Sequence, residues 1–458
     1  MATAASRAGG NWDEHGKVSF AFAVMRMRET ETRPNDRADN PEAATPPRGV
    51  AKAVSWDALL STYLPAFLLA LGAGIVLPVI PALAQSFDVS FGLASGVVTA
   101  FVIGNLAATL PSGWLIDHFG RRPVIIAGPL LTAATSLLIV FAESFTQLLV
   151  LRFLAGCATQ MWLMGRLAAI SHGAAAGERG RRISWLFGMD SVGRLAGPLL
   201  GAFIATAWDI RAAFLAFAVL ALIALIPTLL FAEDTPRRPR PPPLPSPASG
   251  GGKGGGKGPA RKLSLREIVM PRLPYFGVAL FAGLARGPIY SGMLDLYAAF
   301  AYQLGPAQLG LLATGATIIT LPISFAAGWM MDHFGRKRTM VPGFGGVTIA
   351  MAALAICAFI PLSFAWYVAL FFLAVAAQAL TGSSIQTVGA DVAPPEARGM
   401  FLGVWRLTGQ GGATLSPILF AVIAEILGYG SSFVFVAASA AVVAFLLVFY
   451  VPETRTTK

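Results

Sequence analysis

One ten-residue phrase is written twice, as Gly113-Trp114-Leu115-Ile116-Asp117-His118-Phe119-Gly120-Arg121-Arg122 and as Gly328-Trp329-Met330-Met331-Asp332-His333-Phe334-Gly335-Arg336-Lys337. Seven of the ten positions are identical, and each matched pair lies 215 residues apart (328 − 113). Each copy ends one long apolar run and precedes another, so the chain reads as two copies of one half. The glycines permit a tight turn, while the carboxylate and the basic pair put charge at the surface where the apolar runs end.

Composition identifies that surface. With 55% hydrophobic and only 12% charged residues over 458 positions, and a mean hydropathy of +0.67, the chain carries more apolar surface than a soluble core of this length hides. A helix needs about 20 apolar residues to cross the hydrocarbon. Runs of that kind fall at 59–84, 92–116, 124–141, 146–170, 183–207 and 212–232, then at 273–300, 307–331, 340–360, 364–390, 400–424 and 431–450. The expectation is an all-α polytopic membrane protein of about twelve transmembrane helices in two pseudo-symmetric six-helix halves, 56–232 and 273–451. Residues 233–272 are rich in proline, glycine and basic side chains and read as a linker between the halves. Residues 1–55, polar and aperiodic, read as a disordered tail, and 452–458 as a short second tail. The apolar piece at 20–24 is too brief for a signal-peptide core.

Basic residues fall on one side of the expected membrane. Arg121 and Arg122, Arg179, Arg181 and Arg182, the linker, Arg336, Lys337 and Arg338, and Arg398 share that side, and the other holds only Arg211. This asymmetry predicts a multi-pass inner-membrane protein with both termini cytoplasmic. It also accounts for the net charge of +11 through anionic headgroups rather than nucleic acid. Cys157 and Cys357 sit singly in the two halves, the four histidines are scattered, and no phosphate loop is present. Neither a metal, a cofactor nor direct ATP drive is therefore expected, and no nucleophile and base share a motif that would suggest an enzyme.

The repeated phrase resembles the signature loop between the second and third spans of the major facilitator superfamily of secondary transporters. Leu71-Gly72-Ala73-Gly74-Ile75-Val76-Leu77-Pro78-Val79-Ile80-Pro81 is similar to the first-span pattern of its twelve-span drug:proton antiporters. Arg152-Phe153-Leu154-Ala155-Gly156 resembles the family's Arg-x-x-Gln-Gly motif, with Ala155 in place of Gln; there the arginine is associated with proton coupling. Gly193, Gly197, Pro198 and Gly201 match the fifth-span antiporter element, whose last glycine is Ala202 here. The resemblance implies two halves that rock about a central site. It also implies a conformational gate at Gly113, Asp117, Gly120, Arg121 and Arg122, mirrored by Gly328, Asp332, Gly335 and Arg336. In that gate Asp117 would lie at the positive amino end of the eleventh helix when the inner side is closed.

The same residues can be read without the family. At about 100° per residue, Gly193, Gly197 and Gly201 share a helix face that a partner can approach backbone to backbone. Asp190 and Arg194, four residues apart on that side, can neutralise each other as a staple or as a titratable switch. Arg152 and Arg166, fourteen residues apart, face one way at depths separated by roughly 21 Å, and Arg166 is expected to reach the headgroups. Arg286, Tyr290, Met293 and Tyr297 form one stripe of the seventh span and Asp295 lies opposite, with Gly287-Pro288 weakening the helix between them. A broken helix beside ionisable residues points to a binding region, so Arg286 or Asp295 is expected to meet substrate or proton. Arg406 and Gln410 supply a cation and an amide in the eleventh span. Trp162, with Met161 and Trp405, either lines a permissive pocket or packs the core.

These readings point to a secondary transporter that exports a drug-like or metabolite molecule in exchange for protons. Asp190 and Asp295 are the candidate proton carriers. The expected partners are a small-molecule substrate, protons and the bilayer, with the chain a monomer. A proton-coupled importer or facilitator of a sugar or organic acid stays open, as does a non-transporting membrane sensor.

Overall fold

The structure is a computed structural model that describes residues 59–173, 179–231, 267, 269–360, 363–382, 384–394 and 397–451. The expected tails and most of the expected linker lie outside the described residues. Among these residues twelve helical spans follow one another and there is no strand. The first six are α1 (Leu59–Gln85) and α2 (Phe91–Phe119), α3 (Arg121–Val140), α4 (Phe145–Gly173), α5 (Arg179–Ala207) and α6 (Ile210–Phe231). The second six open with α7, in two pieces, Leu273–Ser291 and Met293–Ala301. They continue with α8 (Pro306–Phe334), α9 (Arg336–Phe359), α10 (Phe364–Val392), α11 (Arg398–Leu427) and α12 (Tyr429–Phe449).

Ten of these spans are long and apolar enough to cross a membrane. The other two are α5, which carries Asp190 and Arg194, and α7, which is interrupted. Within each half the described connections between successive helices are short, and the helices alternate in direction. Both copies of the repeated phrase therefore lie at one end of the bundle, here termed the basic end. Outward-facing side chains such as Leu230, Phe203 and Phe449 are 72%, 61% and 70% exposed, an apolar belt that only lipid can cover.

Packing repeats with an offset of six helices. α1 lies along α5 as α7 lies along α11, α3 along α6 as α9 along α12, and α2 along α4 as α8 along α10. Across the halves, α5 meets α8 and α11 meets α2. The two longest seams are made by small residues, the usual solution where lipid removes the hydrophobic drive between helices. A Cβ at Gly201 would overlap the Ile75 carbonyl, and one at Gly197 would overlap Gly74. In the second half a Cβ at Gly412 would overlap the Leu280 carbonyl, and one at Gly283 that of Gly409.

The break in α7 is not where the sequence suggests. The chain stays helical through Gly287 and Pro288 and breaks at Gly292, whose φ of +84° suits glycine. Proline removes the N–H that would bond to the carbonyl four residues earlier, and the Ser416 hydroxyl of α11 donates to that freed Leu284 carbonyl instead. Replacing the lost bond from a neighbouring helix keeps the turn intact. The left-handed residue at Gly292 then resets the helical phase, so Met293 and Tyr297 leave the stripe shared by Arg286 and Tyr290.

The seam predicts its own test. Gly201→Leu forces a side chain into the α1 backbone and is expected to cost about 1–3 kcal/mol, read as a lower melting temperature in detergent. Ala196→Leu, on the exposed face of α5, is expected to leave it unchanged. Equal melting of the two variants would show that close approach of α1 and α5 does not hold the half together.

Candidate functional site

Helical rotation locates an interior cavity. On α11, Arg406, Gln410, Ala413, Pro417, Phe420 and Ala424 fall on one stripe. Arg406 and Gln410 are exposed, whereas Pro417, Phe420 and Ala424 are buried. On α5, Phe187, Ser191, Arg194, Pro198 and Ala202 do the same, open at the basic half and buried beyond it. A wall exposed at one end and covered at the other, on helices that face the opposite half, lines a cavity that opens toward the basic end.

The far end is shut by contacts between halves. Between described residues, the hydrogen bonds that cross are Gln85 Nε2 to the Ala299 carbonyl at 3.1 Å and the Gly92 N–H to Glu425 Oε2 at 2.9 Å. Both lie far from the repeated loops. Phe91 of α2 packs edge-on against Phe300 and Tyr429, with ring centroids 5.7 and 4.9 Å apart. At the basic end, Gly113, Gly188, Gly328 and Gly403 have open space where a Cβ would stand.

The interior charges are held in different ways. Arg152 is buried in α4, where its Nε donates to the Val97 carbonyl at 3.4 Å and its guanidinium lies 4.7 Å from the Phe101 ring centroid. Arg166 does not reach the surface as expected. It is buried, and its Nη2 donates to Thr228 Oγ1 of α6 at 3.1 Å while its Nε has no hydrogen-bond partner, so a neighbouring hydroxyl holds part of the guanidinium at its own depth. Arg194 Nε pairs with Asp190 Oδ2 at 2.8 Å. Arg286 Nη2 donates to the Tyr290 hydroxyl at 3.1 Å and lies 5.0 Å from that ring's centroid.

Asp295 stands in the first turn of the short helix that follows Gly292. It is 8% exposed and its Oδ1 has no hydrogen-bond partner. Tyr297 is buried two residues on, against Tyr429, Phe433 and Tyr367, and Tyr367 in turn donates to the Leu294 carbonyl at 2.8 Å. Tyr297 thus belongs to an aromatic floor, whereas Tyr290 contacts Arg286. Trp162 is buried inside the first half, against Gly128 of α3. Among the described residues no cluster of three or more His, Cys, Asp or Glu could hold a metal.

The two repeated loops share one geometry. Gly120 and Gly335 have φ of +89° and +98°, and His118 and His333 each bond through Nδ1 to the carbonyl of Trp114 and Trp329 at 2.9 Å. Arg122 donates to the Leu229 carbonyl at 3.4 Å and Lys337 to that of Val448 at 2.8 Å. Each basic side chain thus meets the negative carboxyl end of a helix, α6 or α12, within its own half. Arg336 forms an ion pair with Asp391 at 2.6 Å. Asp117 is exposed at the cavity mouth, and the side chain of Asp332 lies outside the described residues.

A sequence profile of the Major Facilitator Superfamily matches residues 62–298 and again 275–458. The chain belongs to the major facilitator superfamily. Its family and fold are those of transporters. The tetracycline resistance protein, class B, of Escherichia coli is 24% identical over 360 residues, covering 77% of this chain and 85% of that protein. Multidrug resistance protein 1 of Bacillus subtilis is 27% identical over 173 residues, 38% of this chain and 44% of that protein. Multidrug transporter AQR1 of Candida glabrata is 29% identical over 144 residues, 31% of this chain and 24% of that protein. The match thus spans less than half the length of these last two relatives. Among solved structures, a D-xylose–proton symporter superposes with a TM-score of 0.69 at 16% identity, covering 87% of this chain and 98% of that one. A peptide transporter superposes with a TM-score of 0.68 at 14% identity, covering 88% and 95%.

For this superfamily member, sequence reasoning missed the contact that seals the far end. Ser90 caps α2, its hydroxyl accepting from the Leu93 N–H at 3.4 Å. Glu425 then places a carboxylate against the same positive helix end, where a Cβ at Gly92 would collide with it. A lone acid near the end of α11, opposite a Ser-x-Gly helix start, was the available signal. Glu425→Ala is expected to raise labelling of Ser95→Cys, buried behind this contact, about 2–5-fold, the value of one charge at a helix end. An unchanged rate would mean that Glu425 does not hold the far end closed.

Proposed function

We propose that this transporter exports a drug-like or metabolite small molecule in exchange for protons by alternating access. The observation that carries this reading is Asp295, a buried carboxyl with an unpartnered oxygen, placed directly after the left-handed break in α7. An unpaired charge in an apolar interior is costly, so the change of surroundings that rocking brings can be exchanged for a proton. Gly292 is the joint at which the short helix bearing Asp295 moves relative to the rest of α7. Asp190, already paired with Arg194, is the secondary candidate.

Residues 56–232 and 273–451 act as the two rocking units, joined by 233–272. The excess of basic residues at the loop end orients the protein with that end, and both termini, in the cytoplasm of an inner membrane, so the cavity opens inward. In the alternative conformer the inner ends of α2 and α11 close. Asp117 then meets the amino end of α11 as Glu425 meets that of α2 in the conformer described, with Arg121, Asp332 and Arg336 completing the inner closure. The names of the tetracycline and multidrug relatives support export over import. The protein works as a monomer.

The test is transport in oriented proteoliposomes with an imposed pH gradient and internal pH recorded. Substrate is expected to move against protons, and Asp295→Asn to abolish uphill movement while leaving downhill exchange. Coupled antiport that persists unchanged in Asp295→Asn, Asp190→Asn and the double variant would remove both carboxylates from the mechanism. Movement with the protons would replace export by import.

A further inference from the structure

The charge that the cavity wall leaves without an ion-pair partner has one sign, and this deepens the reading above by naming a substrate class. Within the described spans the deep cations are Arg152, Arg166, Arg194, Arg286 and Arg406, against Asp190 and Asp295. Arg152 and Arg166 are sealed inside the first half against Val97, Phe101 and Thr228. Arg194 is neutralised by Asp190, and Asp295 is buried beside the aromatic floor. Arg286 and Arg406 remain, and among the described residues no carboxylate lies within ion-pair distance of either. Arg286 Nε has no hydrogen-bond partner.

Both arginines line the same wall. α7 and α11 run parallel and meet along Gly283, Gly287, Gly409 and Gly412. At about 100° per residue, Arg286 and Tyr290 flank that seam on one side of α7, and Arg406 and Gln410 flank it on the same side of α11. Gly277 lies on the other side, where its Cβ would touch Leu446 of α12. The arginine side therefore faces away from α12 and into the cavity, as the 63% exposure of Tyr290 requires. The seam also fixes depth. Gly283 abuts Gly409, and Gly287 abuts Ala413 and Ser416, so Arg286 and Gln410 stand within about one turn of each other, with Arg406 about one turn nearer the mouth.

We infer that this wall, Arg406, Gln410, Arg286 and Tyr290, binds the acidic group of an amphipathic organic anion, a carboxylate or sulfonate. Guanidinium presents a planar fork of donors that matches such a group, and the Gln410 amide and Tyr290 hydroxyl extend the donor set. The anion supplies the counter-charge that the protein withholds from this surface, and a cationic substrate meets like charge with nothing to offset it. Apolar surface elsewhere in the cavity takes the remainder of the molecule.

The inference rests on the transporter reading, and one experiment separates the two. Reconstituted full-length protein is offered three matched probes, an aryl-alkyl carboxylate, its primary amide and the corresponding amine, and flux of each is measured. The carboxylate is expected to be transported with at least about tenfold higher kcat/KM than the amide, the value of a charge-assisted hydrogen bond. Arg286→Gln with Arg406→Gln should erase that preference while amide flux persists. Arg406→Gln alone, at an exposed position, carries the test should the double variant not fold. Equal or better flux of amide or amine, or a carboxylate preference unchanged in the variants, overturns the anion assignment and leaves the transporter standing. No flux of any probe by folded protein overturns both.

Discussion

Close approach of backbones along α1–α5 and α7–α11 is the constraint on which the rest of the architecture depends. Lipid offers no hydrophobic drive for helix association, so each half must be held by van der Waals contact. Gly193, Gly197 and Gly201 admit α1, Gly412 admits α7, and Gly283 of α7 admits α11. A Cβ at these positions would overlap the backbone of the partner helix. These seams lie inside the halves, whereas the pairs that cross between the halves are α2 with α11 and α5 with α8.

The interior charges follow the same division. Arg152 and Arg166 are bound by carbonyl, ring and hydroxyl within the first half, which makes them part of its rigid packing. Asp190 and Arg194 offset each other on the wall of the cavity. Asp295 lies just after the α7 break, Arg286 before it and Arg406 on α11 nearer the basic end, all three in the second half. This asymmetry explains why the two halves keep the loop phrase and the seam in common but not their interior charge.

Much of this was legible in the sequence. The repeated phrase and the apolar runs are long-range patterns that depend on the bilayer alone, and they place twelve helices to within a few residues. What was not legible depends on neighbours far along the chain. The α7 break moved from Gly287-Pro288 to Gly292 because Ser416 satisfies the carbonyl that Pro288 frees. Arg166 stayed buried because Thr228 of α6 lies at its depth. Tyr297 left the Arg286 stripe because a single left-handed residue resets the helical phase. Glu425 went unnoticed because its partner is a backbone N–H, and backbone groups leave no trace in composition.

The central claim is that two rigid halves exchange a closed far end for a closed basic end. Paired spin-label distances test it most directly, one pair across α2 and α11 at the far end and one at the basic end, with further pairs within each half, recorded with and without substrate and across pH. Reciprocal change of the two inter-half distances, with the distances inside each half constant, is the predicted result. Inter-half distances that do not change, or that change only together with those inside a half, would contradict it.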